Sequence, residues 1–204
     1  NIQGHTRITW KGDQEPALTN IRDEVRMTQK IEIMDGDAPV GDSQAHGDAE
    51  GAVKIMQGAF RSIHIGLQTR IRAQIPERHD IIPWMVKHGV ACINRYRKGS
   101  DGFTRYRRMK GKDFRKEVCE FGESVWYCRL GTRGKQKFRS RWSTGVWLGI
   151  REETGEVLIG TDTGVVRCRT VRRKATLTER WNRSAIQSMS CLLYTSPSPR
   201  DNKA

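Results

Sequence analysis

The stretch GVWLGIREETGEVLIGTDTGVVRCRTV, residues 145–171, decides the fold of the second half of the chain. Short apolar runs alternate here with turns that contain Gly or Asp, a spacing typical of a small antiparallel sheet or barrel. With one run upstream, it predicts four strands: Ser124–Leu130, Gly145–Ile150, Glu156–Gly160 and Val165–Val171. We therefore predict a compact β-rich domain in this half.

The last predicted strand carries alternating basic and apolar side chains. Because successive side chains in a strand point to opposite faces, Arg167 and Arg169 should share one face, with Val166 and Cys168 on the other. The positive charge continues directly beyond this strand. Five residues of this region are predicted to contact phosphate groups: Arg167, Arg169, Arg172, Arg173 and Lys174.

Helical periodicity dominates the region before the strands. Apolar residues recur every three or four positions from about Gly47 to Ile71, which predicts one long helix. A polar stripe lies beside the apolar one and consists of Glu50, Lys54, Gln57 and Arg61. A second helix is predicted over Ile81–Arg97, with four candidates for burial: Trp84, Met85, Val90 and Ile93.

The first 35 residues alternate between strand and helix patterns. His5–Trp10 and Ile31–Met34 are predicted strands, and a helix that begins near Pro16 separates them. Its candidate apolar residues are Ala17, Leu18, Ile21, Val25 and Met27. The predicted fold class is α/β at the start of the chain, then helices, then a small antiparallel β barrel or sheet.

Charge is unevenly distributed along the 204 residues, whose formal net charge is +14. Residues 1–75 contain nine Lys/Arg against ten Asp/Glu, a balance of -1, whereas residues 103–174 contain nineteen against eight, a balance of +11. A basic half beside a neutral half indicates a polyanion-binding region. No run of about 18 apolar residues occurs, so no membrane span is expected.

The five cysteines (Cys92, Cys119, Cys128, Cys168 and Cys191) form no CxxC pair. A structural zinc site is therefore not expected. Free, buried thiols in a reducing compartment are predicted instead.

Two carboxylates are candidates for metal binding. Asp13 follows the first predicted strand, and Glu50 lies in the first turn of the long helix, 37 positions later. Two-metal phosphoryl transfer needs carboxylates that converge on a pair of Mg²⁺ ions about 3.5–4 Å apart. Taken singly, Asp13 is typical of a solvated or capping acid, and Glu50 of a first-turn acid favoured by the helix dipole.

A family resemblance rests on five segments in order: RITWKGDQEPAL (7–18), VGDSQAHGDAE (40–50), DGFTRYRRMKG (101–111), FGESVW (121–126) and GVWLG (145–149). Together they resemble the integrase of copia-type LTR retrotransposons, over nearly all of residues 7–181. The first two are similar to the segments around the second catalytic Asp and the catalytic Glu of that family.

The resemblance implies a domain plan. Residues 1–75 would be the second half of an RNase H-like catalytic core, 76–117 a helical connector, and 118–183 a basic, SH3-like β domain. Residues 184–204 are expected to be a disordered tail, and 191–204 resemble the translation of a sequencing-library adapter. The first catalytic Asp of the family is expected upstream of Asn1, so the chain is interpreted as a fragment.

The resemblance also implies an activity. Asp13 and Glu50 would be catalytic residues and ligands of Mg²⁺ or Mn²⁺, and the parent protein would be a polynucleotidyl transferase that joins element DNA to target DNA. Lys54, Gln57 and Arg61 would contact DNA together with the basic residues of the β domain. A homo-multimer in the nucleus is implied, without a membrane partner, and the fragment alone is expected to be inactive.

Two alternatives stay open. The first is a non-catalytic DNA-binding remnant of a decayed element, because His46 and Gly51 stand where the family commonly has Asn and Arg. The second is another RNase H-fold nuclease, which the downstream segments disfavour. Lys54 fits a solvated helix face equally well, and His46 is more typical of a loop than of a metal ligand. Four tryptophans are predicted to be core residues rather than base-stacking platforms: Trp84, Trp126, Trp142 and Trp147.

Overall fold

The computed structural model describes residues 6–10, 16–28, 32–36, 47–116, 119–128 and 140–190. The chain divides into two compact units, Asn1–Ile55 and Met56–Ala204. The described part contains both parallel and antiparallel strand pairs and several helices, so the α/β class is confirmed at this coarse level. None of its helices combines the length and the apolar composition needed to span a bilayer.

The first unit is built on a parallel strand pair. Strand β1 (Arg7–Trp10) pairs with β2 (Glu32–Asp35), and helix α1 (Pro16–Thr28) connects them. Parallel strands require such a crossover, because a tight hairpin reverses the chain. At the end of β2, the Asp35 carboxylate accepts a hydrogen bond of 2.8 Å from Arg26 and lies 3.0 Å from Arg22. The hydrogen bond from Arg26, with the charge of Arg22, lowers the pKa of Asp35.

The predicted strand–helix–strand order of this unit is confirmed, but three apolar predictions for α1 are wrong. Ala17, Ile21 and Met27 are exposed. Their spacing matched the helix period, yet a period identifies a face without showing that another element covers it.

Two long helices follow the predicted boundaries closely. Helix α2 spans Gly47–Ile71, as predicted, and α3 spans Ile81–Tyr96, with Arg97 as its C-cap residue. The prediction is confirmed for Trp84 and Met85, which are buried, and is wrong for Val90, which is exposed. A short helix, α4 (Arg105–Lys110), begins after Thr104, whose side chain accepts a hydrogen bond from the backbone N–H of Arg107.

Five antiparallel strands form the sheet of the second unit: β3 (Ser124–Cys128), β4 (Trp142–Ile150), β5 (Val157–Thr161), β6 (Gly164–Cys168) and β7 (Val171–Arg173). Their order is β6-β5-β4-β3-β7. Four strands therefore meander, and the last strand returns to pair with the first. A bulge interrupts the β4–β5 register between Trp147 and Gly149, where Gly149 adopts a φ of 145° that side chains disfavour.

The single strand predicted over Val165–Val171 is wrong. The structure has two strands there, because β6 ends at Cys168 and β7 begins at Val171. β6 pairs with β5, whereas β7 pairs with β3 at the opposite side of the sheet. Arg169 therefore lies between strands and shares no strand face with Arg167. Basic and non-basic residues continue to alternate across the connection between β6 and β7, so the local pattern does not reveal the break.

The sheet is buried on both faces, over different areas. One face packs against α2, α3 and the end of the described chain, and its buried residues include Leu67, Trp84, Met85, Val146, Leu148 and Ile186. The other face forms a second cluster that includes Val125, Tyr127, Trp147, Ile159 and Cys168. Trp84 and Trp147 are thus core residues, as predicted.

The chain after the sheet is ordered further than the sequence indicates. Residues 184–190 were expected to begin a disordered tail, but α5 (Leu177–Arg180) and α6 (Arg183–Gln187) continue the fold. Ile186 and Met189 are buried in the helix-packed face of the sheet. Met189 lies so close to Gly160 that a Cβ at position 160 would collide with it. Residues 191–204, including the adapter-like segment, lie outside the described residues.

The cysteines in the described part of the chain are thiols, and none forms a disulfide. Cys119 and Cys168 are buried, whereas Cys92 and Cys128 are half-buried. Burial raises the pKa of Cys168 to about 11, so its thiol is protonated at neutral pH.

A buried carboxylate joins β3 to β7. Glu123, directly before β3, has a side chain with 0% exposure and accepts two hydrogen bonds from Arg173, of 2.8 and 2.7 Å. It also accepts one from the backbone N–H of Glu120, and Arg180 lies 3.7 Å away. The hydrogen bond with Glu123 raises the pKa of Arg173. Because a buried charge is costly unless it is paired, this pair fixes the position of β7.

Replacing Glu123 should therefore destabilise the second unit. We expect Glu123→Gln to lower the free energy of unfolding by roughly 3 kcal/mol, the lower end for a broken buried pair. We expect this smaller loss because Arg173 is 35% exposed, so water can partly solvate its charge once Glu123 is replaced. Urea denaturation of both proteins measures this. Glu120→Gln, which removes a partly exposed carboxylate beside the same arginine, is the control. Equal losses in both variants would show that the buried pair has no special role.

Candidate nucleic-acid interface

The predicted catalytic pair is only half within the described structure. Asp13 and His46 lie outside the described residues, so the distance between the two carboxylates stays a prediction. Glu50 lies in the first turn of α2, as predicted, and its side chain is 63% exposed. Its Oε2 is 3.8 Å from Nζ of Lys54, one turn later. Gln57 and Arg61, further along the helix, are also exposed.

The described residues do not by themselves form a metal site. No group of three His, Cys, Asp or Glu side chains gathers anywhere in the described ranges. Glu50 contributes one exposed carboxylate and has a cation as its neighbour, whereas Mg²⁺ in proteins is held by carboxylates together with waters or substrate phosphates. Mg²⁺ or Mn²⁺ binding therefore stays a prediction that depends on Asp13 and on residues beyond those described.

The five basic residues predicted to contact phosphate occupy different environments. Arg167 is half-buried on β6 and lies opposite Leu158 on the helix-packed face. Arg169 is exposed between β6 and β7, and Arg172 is exposed on β7. The guanidinium of Arg173 is held by Glu123, as described above, which favours a structural role for this residue. Only Arg169 and Arg172 of the five are thus both exposed and outside the buried ion pair.

Lys174 and Arg172 each cover a tryptophan ring. Nζ of Lys174, a buried residue, lies 5.1 Å from the ring centroid of Trp126. The guanidinium carbon of Arg172 lies 4.8 Å from the ring centroid of Trp142. Both distances fall within the range of cation–π attraction.

These residues lie on one face of the sheet. In the strand register, Trp126 is directly opposite Arg172 on β7 and opposite Thr144 on β4. Directly opposed residues share a face, so a row Arg172–Trp126–Thr144 crosses three strands. We call the set Trp126, Trp142, Thr144, Arg172 and Lys174 the Trp126 surface. It continues the helix-packed face beyond the area that the helices cover.

The core prediction is wrong for Trp126 and only partly confirmed for Trp142. Trp126 is 42% exposed, and Trp142 is half-buried. A signal for Trp126 was available in the run Ser124–Cys128, because alternation places it on the face opposite to Val125 and Tyr127. The local pattern could not show that helices cover only part of that opposite face. Sequence reasoning therefore missed Trp126, Trp142 and Thr144 as surface residues.

A cavity of about 360 Å³ in the second unit offers another possible site. His88, Cys92, Arg95 and Cys119 line part of it. Sγ of Cys92 lies 3.2 Å from Nε2 of His88, the arrangement of a thiol–imidazole pair. Burial raises the pKa of Cys92, while burial and then the charge of Arg95 lower the pKa of His88 to about 4. Both groups are therefore neutral at pH 7, whereas a nucleophilic cysteine needs a lowered pKa.

The half-buried imidazole of His88 predicts a pH dependence of stability. His88 has a folded pKa of about 4, below the 6.5 of an unfolded chain, so the unfolded state binds the extra proton between these values. Its contribution is complete above pH 6.5 and is lost as pH falls toward 4, by up to about 3 kcal/mol.

Urea denaturation at several pH values measures this effect. His88→Asn should flatten the slope between pH 6.5 and 4, whereas Cys92→Ser, which keeps the imidazole, should preserve it. A slope in His88→Asn as steep as in the wild type would assign the proton uptake to other groups.

No model of a known protein family matches the chain. No curated protein matches it either. The integrase resemblance accordingly rests on the five quoted segments and their order.

Proposed function

We propose that this chain is part of a retrotransposon integrase whose second unit binds DNA. The observation that carries the proposal is the Trp126 surface with its exposed Arg172, on a sheet whose strands β3, β4 and β7 contain no Asp or Glu. Arg169, in the connection before β7, is exposed as well. The +11 balance of residues 103–174 adds long-range attraction for a polyanion.

The architecture is compatible with the finer fold assignment. A parallel pair joined by α1 and followed by the long helix α2 supports an RNase H-like interpretation of the first unit. In the second unit, pairing of the last strand with the first curls a meander toward a barrel, which supports an SH3-like interpretation.

In this proposal, binding is sequence-independent. Arg169 and Arg172 would donate hydrogen bonds to phosphate oxygens, and such contacts position a protein on DNA without reading bases. Lys54, Gln57 and Arg61 would extend the contact along α2. The complete protein would be a nuclear homo-multimer that joins element ends to target DNA.

Catalysis would belong to the complete protein. Glu50, with Asp13 and a further Asp upstream, would hold Mg²⁺ or Mn²⁺, which supplies charge stabilisation at the phosphate undergoing attack. The exposed position of Glu50 in the first turn of a rigid helix leaves its carboxylate accessible to ion and DNA.

A non-catalytic DNA-binding remnant is the second candidate. The contact between Glu50 and Lys54 favours it, because oppositely charged side chains one turn apart are usual on a solvated helix face.

DNA binding should depend steeply on salt. Each phosphate neutralised contributes about 0.9 to the slope of log affinity against log salt, so Arg169→Ala with Arg172→Ala should flatten it by up to about 1.8. Fluorescence anisotropy with a duplex of arbitrary sequence measures the slope. Arg78→Ala, an exposed arginine in the connection between α2 and α3, is the control. An unchanged slope in the folded double variant would place the phosphate contacts elsewhere.

Strand transfer distinguishes the enzyme from the remnant. In the complete integrase, Glu50→Gln should abolish the joining of oligonucleotide ends to a plasmid and leave DNA affinity intact, because the change removes a metal ligand at nearly constant shape. Glu24→Gln, which alters an exposed acid of α1, should keep the activity. If the wild type binds DNA without joining it, while Gly51→Arg or His46→Asn restores joining, the chain is a decayed copy.

A further inference from the structure

The Trp126 surface combines features that phosphate binding does not require. Arginines and lysines are sufficient to contact a DNA backbone, yet here two tryptophans stand among the cations. Trp126 remains 42% exposed although Lys174 lies against its ring. A large aromatic side chain left partly in water, beyond the part of this face that helices cover, calls for a function.

We propose that the Trp126 surface binds unpaired nucleotides, with a base stacked on Trp126 and the adjoining phosphate at Arg172. The proposal deepens the DNA-binding function proposed above and rests on it. It names single-stranded segments, such as frayed or overhanging ends, as the preferred ligand of this face.

The geometry suits a stacked base. Trp142 lies diagonally from Trp126, because its strand partner is Cys128, two residues further along β3. Diagonal neighbours in a sheet are about 7–8 Å apart, so the two rings form neighbouring positions on one face. Aromatic side chains on a sheet beside cations are the arrangement with which proteins hold single strands.

The chemistry favours unpaired bases over duplex. In a duplex the flat faces of the bases are stacked on each other, so a tryptophan at the backbone gains little. In a single strand every base presents a face, and stacking tolerates any sequence. The indole rings would therefore add affinity only where pairing is interrupted, whereas the cations attract both forms.

The surrounding charge favours a nucleic acid over a protein partner. Arg172 is exposed on this surface, and the sequence between β3 and β4, residues 129–141, contains six Lys/Arg and no Asp/Glu. The nearest strands contribute no acid, and the buried carboxylate of Glu123 is already paired with Arg173. A polyanion with flat apolar groups matches both properties of the surface.

The test compares two DNA ligands with the chain as it stands. One is a blunt duplex, and the other is the same duplex with a short single-stranded thymidine overhang. Wild-type protein should bind the overhang duplex more tightly, by about five- to a hundredfold for a stacked base. Overhang binding should also quench tryptophan emission more than blunt duplex does.

Trp126→Leu should remove the preference for the overhang, taken as the ratio of the two affinities in the same variant, while Trp126→Phe should retain part of the preference. Phe103→Leu is the matched control, because Phe103 is also 42% exposed and has Arg107 over its ring at 4.5 Å. Circular dichroism of each variant establishes that the fold is retained, and the Phe variant keeps the test decisive if the Leu variant unfolds.

The outcomes separate this inference from the function on which it rests. Blunt-duplex binding without any overhang preference overturns the stacking proposal and leaves DNA binding standing. An overhang preference that persists in Trp126→Leu also overturns it. So does a Trp126→Leu variant that loses self-association while both DNA affinities stay unchanged, because Trp126 would then contact a second copy of the chain. If neither DNA binds, the proposed function itself fails.

Discussion

The carboxylate of Glu123 is the constraint on which the second unit depends. It is fully buried, and its charge is compensated by Arg173 from β7 with Arg180 nearby. β7 is only three residues long, so its ladder with β3 offers few hydrogen bonds. The ion pair supplies the missing specificity and fixes the register that brings Arg172 opposite Trp126. The arrangement of the Trp126 surface therefore depends on the Glu123–Arg173 ion pair, which lies on the opposite face of β7.

The short run Arg172-Arg173-Lys174 shows how one charged segment serves two purposes. Alternation directs Arg173 toward Glu123 and leaves Arg172 and Lys174 beside tryptophan rings. Part of the high positive charge thus stabilises the fold and is not available to an external polyanion. A count of basic residues in the sequence overstates the number of ligand contacts, because it cannot separate paired cations from exposed ones.

Local periodicity predicted the elements well where the pattern is long. The 25 residues of α2 carry several repeats of the helix period, and both ends agree with the structure. The break between β6 and β7 at Arg169 was missed, because the pairing of β7 with β3 is a long-range contact that does not alter the local alternation of side chains. Trp126 was misplaced for a related reason: alternation divides residues between two faces but does not show where helices cover a face. The spacing of Asp13 and Glu50 likewise suggests metal-binding chemistry, but it does not give the distance between the two carboxylates.

The reactivity of the buried Cys168 thiol reports on local opening of the sheet. Cys168 is inaccessible within the second cluster, and its high pKa keeps the unreactive protonated form at neutral pH. Alkylation must therefore wait until β5 and β6 separate, and thiolate formation follows that separation. The labelling rate of this single side chain measures how often the centre of the domain opens under native conditions. Local opening of the sheet can thus be followed without a denaturant.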